Sequence, residues 1–182
     1  MLKIIVPARE LWDERTQEFI NIKEQPLALE HSLVSLSRWE SKWCKPFLTR
    51  QEKTREEIID YVRCMTLTKN VDPIIYEYLS EGNVKQINSY IDAPMTATWF
   101  SEDDKKKSRS SGEQITSELI YYWMVALNIP FECQYWHLNR LITLIRVCNV
   151  KNQKPKKMSR RELMSRNASL NAARKQKLNT KG

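Results

Sequence analysis

Three glycines in 182 residues leave little room for phosphate-cradling glycine loops, for barrels with many tight turns or for collagen-like repeats. Long apolar runs are also missing: no stretch reaches the about 18 residues that a membrane-spanning helix needs. Met1–Pro7 is too short for the apolar region of a secretion signal and carries no small-residue cleavage site. Paired cysteines are absent. Cys44, Cys64, Cys133 and Cys148 lie far apart and form no C-x-x-C, a spacing expected of reduced thiols in a cytosol. Histidine occurs twice, at His31 and His137. The length fits one globular domain with a tail.

What is plentiful is positive charge, and it is concentrated. The formal net charge is +8. Eleven of the 30 basic residues and one of the 22 acids (Glu162) fall in 151–182, so that segment is +10 and the first 150 residues are −2. The sequence therefore divides into a near-neutral body, 1–150, and a basic C-terminal segment, 151–182. A cationic tail suits an anionic partner, whether nucleic acid or an acidic protein surface, and equally suits plain solvation.

The body reads as mainly α, with a small N-terminal sheet. Residues 2–6 (LKIIV) and 17–22 (QEFINI) are short β-branched runs, expected as the two strands of a hairpin or two-stranded sheet. Leu29, Leu33, Leu36 and Trp43 recur at near-helical spacing, so 27–43 reads as an amphipathic helix, with Leu27-x-Leu29 leaving a strand start open. Thr54-Arg55-Glu56-Glu57 is a capping box that opens a helix over Arg55 to Met65. Asp72-Pro73 pairs an N-cap with a proline in the first helical position. The short helix it starts is expected to end on Gly82 as a left-handed cap. Asn83 then restarts a helix that Pro94 closes.

Residues 101–113 (SEDDKKKSRSSGE) are polar throughout and read as an exposed loop. Ile115–Leu127 is apolar nearly all round in its second half, which predicts a buried central helix. From Phe131 to about Val150 the spacing of Cys133, His137, Leu141, Leu144 and Cys148 predicts one continuous helical stripe. Residues 151–158, with Pro155, read as a linker. Ser159-Arg160-Arg161-Glu162 is a second capping box, opening a helix to about Leu178 whose apolar face is thin. Such a helix needs a partner surface to persist.

Chemistry-bearing constellations are few. Cys133, His137 and Cys148 share the expected face, but structural zinc wants four ligands in close pairs, and His31, Cys44 and Cys64 are scattered. Buried thiols and a core histidine are the simpler reading. A catalytic cysteine needs an electropositive, accessible setting and a third group to orient its base; this face reads as core. Glu102, Asp103 and Asp104 are followed by three lysines in a loop, a poor frame for a general acid and base. The expectation is no catalytic residue, no metal and no cofactor. Six tryptophans stand out: Trp12, Trp39, Trp43, Trp99, Trp123 and Trp136. Trp123 and Trp136 read as core. Trp39 and Trp43, one turn apart beside Lys42 and Lys45, read as a contact surface. The basic segment offers Arg160, Arg161, Arg166, Arg174, Lys175 and Lys177 to a partner. It has no aromatic residue, so any nucleic-acid binding through it would be sequence-blind and salt-sensitive.

Four stretches together carry a likeness: SLSRWESKWCKPFL (35–48), YIDAPMTATWF (90–100), ITSELIYYWMVALNIPFECQYWHLNRLITLIRVCN (115–149) and MSRRELMSRNASLNAARKQKLN (158–179). They resemble the tail assembly chaperones of tailed bacteriophages. The likeness spans most of the chain beyond residue 27 and rests on whole segments, since that family has no catalytic signature. It implies a largely helical, non-enzymatic protein of the host cell cytoplasm. Such a protein binds the tape measure protein, and in some cases the tail tube protein or itself, and assists tail tube assembly. It is usually absent from the finished virion. It also implies that a longer form made by ribosomal frameshift exists in many members. The competing expectations are a structural minor tail or connector protein of the virion, and a nucleic-acid-binding module working through 151–182.

Overall fold

The computed structural model describes residues 1–13, 18–49, 51–100, 114–152 and 159–179. The expected loop 101–113, most of the expected linker (153–158) and the side chain of Glu162 lie outside the described residues. The chain divides into two compact units, Met1–Asn149 and Val150–Gly182.

The first unit is mainly helical and begins with antiparallel strands. β1 (Leu2–Val6) pairs with β4 (Gln25–Leu29), and β2 (Arg9–Asp13) pairs with β3 (Glu18–Ile22). The sequence predicts that the 2–6 run pairs with the 17–22 run; each instead pairs with a strand not expected in that sheet, 25–29 and 9–13 respectively. Leu2 faces Leu29 and Ile4 faces Leu27. That register puts Ile4, Val6, Leu27 and Leu29 on one buried face while Lys3 and Ile5 face outwards. The edge of β4 is covered by the chain that follows the second helix: Glu30 N–H donates to the Met65 carbonyl at 2.8 Å and Leu67 N–H to the Ala28 carbonyl at 2.8 Å.

β4 also takes residues that read as the start of a helix. α1 runs only over Leu33–Trp43, because Ser32 caps it: its hydroxyl accepts from Ser35 N–H, and the Ser35 hydroxyl accepts from Ser32 N–H. α2 covers Arg55–Met65 behind the Thr54/Glu57 capping box, as the sequence dictates. Asp72 caps a 3-10 helix over Pro73–Tyr78. Gly82 is not its left-handed end. It sits in the first turn of α3 (Glu81–Asp92), whose cap is Ser80 boxed with Asn83. A left-handed cap does occur at Cys44, φ 50°, closing α1.

α4 is Ser117–Ala126, capped by Thr116. Ile120 and Met124 are fully buried, whereas Tyr122 and Val125 are exposed, so α4 is one-sided rather than buried all round. The expected continuous helix 131–150 is broken. Phe131–Tyr135 forms a 3-10 turn, Trp136 is extended, and α5 begins at Leu138 and runs to Asn152. The break has a long-range cause: His137 bridges to Ser32, and Leu138 N–H donates to the His31 carbonyl at 2.7 Å. The second unit contains α6, Arg160–Leu178.

Two apolar clusters fill the first unit. One joins β1 and β4 to Trp39 of α1, Tyr61, Val62 and Met65 of α2, and Ile87 and Tyr90 of α3. The other joins Leu33 and Leu36 of α1 to Ile120 and Met124 of α4 and Leu138, Leu141 and Ile145 of α5. α1 thus contributes to both, and Phe47, just beyond it, packs against both.

Candidate functional site

Trp39, expected at a contact surface, is 1% exposed. Its indole N–H donates to the Glu57 carbonyl at 2.8 Å, and its ring meets Phe47 edge-on at 5.0 Å between centroids. That part of the sequence expectation is corrected: a residue with no free face, tied by its only donor, cannot anchor a partner. Trp43 is half-buried and stacks on Trp39 at 6.1 Å. Its N–H donates to Asp60 Oδ2 at 2.9 Å, Lys42 forms an ion pair with Asp60 Oδ1, and Lys45 with Glu57 Oε1 at 2.6 Å. The two ammonium groups lie 5.6 and 6.0 Å from the Trp43 ring centre. The Lys45 hydrogen bond, with the Thr54 amide behind it, holds the Glu57 carboxyl below the usual carboxylate range. These charges fasten α1 to α2.

The buried titratable groups are likewise committed to the fold. Glu40 accepts from Phe47 N–H at 2.8 Å and from Ser117 N–H at 2.7 Å. One carboxylate therefore satisfies an amide of the loop after α1 and a first-turn amide of α4, where the helix dipole favours negative charge. His137 donates from Nε2 to the Tyr90 carbonyl at 2.9 Å and accepts Asn139 N–H at Nδ1, leaving no lone pair for proton transfer. His31 Nδ1 is 2.5 Å from the Tyr61 hydroxyl, and its ring stands edge-on to His137 at 5.2 Å. Burial, then the neighbouring His137, push the His31 pKa down to about 3. Burial pushes the Cys133 thiol up, away from the reactive thiolate. With the 131–150 helix broken, Cys133 and His137 do not share the face that sequence spacing suggested. Among the described residues no group of three or more His, Cys, Asp or Glu is placed to hold a metal ion.

Among its exposed groups the body presents apolar ones. A cleft of about 330 Å³ lies between α2, the 3-10 helix and α3, lined by Ile58, Ile59, Val62, Leu79, Val84 and Ile87. Arg55 and Glu77 lie at its margin, the guanidinium donating to the Glu77 carbonyl at 3.5 Å. Elsewhere Tyr122 and Val125 on α4, and Phe131 and Tyr135 on the 3-10 turn, are each more than half exposed. Tyr121 links α4 to that turn, its ring 6.4 Å from Phe131 and its hydroxyl donating to Gln134 at 2.9 Å. An exposed apolar cleft of this kind marks a contact surface. Sequence reading missed the exposed side of α4 because an apolar helix reads as buried on every side; the paired tyrosines 121 and 122, each with a polar tip, are the one signal of a wet face.

On α6 every described side chain is exposed, including Arg160, Arg161, Arg166, Arg174, Lys175 and Lys177. Among the described residues no helix is long and apolar enough to cross a membrane. Comparison with protein-family models, with curated proteins and with solved structures gave no match to this chain.

Proposed function

We propose that the protein is a non-catalytic tail assembly chaperone, acting in the host cell cytoplasm, that binds the tape measure protein and assists building of the tail tube. One observation carries this reading furthest. The groups capable of acid–base chemistry in the core are spent on holding the fold, while the apolar cleft beside α3 and the Tyr122 and Phe131 rings face solvent. A client made of long amphipathic helices needs apolar contact of this kind to stay apart from its own copies. The basic residues of α6 add steering toward acidic stretches. The segment likeness to tail assembly chaperones supplies the client's identity.

The test is co-expression with the tape measure protein. Co-purification, with the client more soluble in the presence of this chain than in its absence, is the expected outcome. Two folded, soluble proteins that do not associate would sink the reading. Mass spectrometry of purified particles separates it from a virion component: the chaperone is absent, whereas a connector or minor tail protein appears stoichiometrically.

A further inference from the structure

α6 is placed to recognise one kind of partner by the order of residues along one side. At 3.6 residues per turn, Leu163, Arg166, Leu170, Arg174 and Lys177 fall within a sector of roughly 80°. Their spacing of three, four, four and three residues keeps them on one helix face. Arg160 and Leu178 border the sector, Met164 and Lys175 lie farther round, and Arg161, Ser165, Ala172 and Gln176 occupy the far side. Leu163 and Leu170 are 49% and 44% exposed. Leucine and cation therefore alternate along this stripe, with Arg161 and Lys175 as further cations outside it.

That alternation discriminates between anionic partners. A helix that inserts into a membrane surface keeps its apolar sector free of charge and sets its lysines and arginines beside it; here Arg166 stands between the two leucines. A phosphate backbone engages the cations and leaves the leucines in water, and the segment has no aromatic residue to stack on bases. A second copy of the stripe sets cation against cation, in a segment carrying +10. An acidic helix with leucine-like residues between its carboxylates satisfies both halves: apolar side chains cover Leu163 and Leu170 while carboxylates meet Arg166, Arg174 and Lys177. We propose that the Leu163–Arg166–Leu170–Arg174–Lys177 stripe of α6 is a docking seam for an acidic amphipathic helix of a protein partner. This rests on the protein-binding reading above and names the chemistry of the client segment.

The full-length protein is titrated at fixed salt with a labelled synthetic helix of about four heptads, with leucine at each a position, glutamate at d and e, and alanine and glutamine elsewhere. L163A/L170A keeps every charge and, alanine being the better helix former, keeps the helix. R166E/R174E/K177E keeps both leucines. Each is expected to weaken binding by about tenfold or more, and L163M/L170M to retain it. The seam is overturned if L163A/L170A binds the helix as tightly as the unsubstituted protein. It is also overturned if a DNA duplex or vesicles containing phosphatidylglycerol bind the chain more tightly than the helix at the same salt. The tape measure pull-down keeps the two proposals apart. A sound pull-down with no binding of the synthetic helix removes the seam and leaves the chaperone reading standing. A failed pull-down with seam-dependent binding of the helix removes the chaperone reading and leaves the seam.

Discussion

His31 is 2% exposed, with its Nδ1 against the Tyr61 hydroxyl and its ring against His137. The fold holds it neutral. Its folded pKa of about 3 lies below the unfolded value of about 6.5, so between these the unfolded chain binds more protons than the folded one. Stability is then fully present above about pH 6.5 and is lost as pH falls towards 3, by about 2 kcal/mol at pH 5 from this residue. His137, whose pKa is also lowered by burial, adds a loss of the same sign. Urea unfolding at pH 7 and pH 5 checks this; His31→Gln, which cannot titrate, is expected to show the smaller drop. Glu40 is the other residue whose loss reaches far. Glu40→Ala strands two amides, Phe47 N–H and Ser117 N–H, and is expected to cost about 2–4 kcal/mol in the same assay. Glu40→Gln keeps one acceptor and costs less. Neither role is visible in sequence, because Tyr61 lies 30 residues from His31 and Ser117 lies 77 from Glu40.

Elements whose signals are local read true, and those set by distant partners do not. Thr54/Glu57 and Asp72-Pro73 place their helix starts within a few residues, because a cap is a contact between near neighbours. At Leu27-x-Leu29 the sequence leaves helix and strand open; the choice of β4 is made by strand β1, across more than twenty residues of chain. The 131–150 stripe fails for the same reason: the pull of Ser32 and His31 on 137–138 outweighs a helical period. Gly82 gives a sharp test of the corrected boundary. In a left-handed cap, Gly82→Ala would destabilise. In the first turn of α3 the added methyl meets only Ser80 Oγ, at 3.7 Å. The expected outcome is a stabilisation of about 0.4–1 kcal/mol, seen as a higher melting temperature.

Across the whole molecule, the mainly helical architecture and the basic C-terminal segment were legible from composition and period, whereas the docking faces were not. A face is defined by which side the core leaves uncovered, and nothing in a single stretch of α4 records that. Tyr122→Ser removes a ring that is 65% exposed. Unfolding free energy is expected to change by less than about 0.5 kcal/mol, while the amount of client recovered in the pull-down falls. α1 carries a different consequence. Trp39 belongs to one apolar cluster and Leu33 and Leu36 to the other, so neither half of residues 1–149 can melt without pulling its wall from its neighbour. Amide hydrogen exchange should find the most protected amides of α2 and α5 opening together, with one common free energy. Two distinct exchange plateaus, one per half, would mean that the shared helix does not couple them.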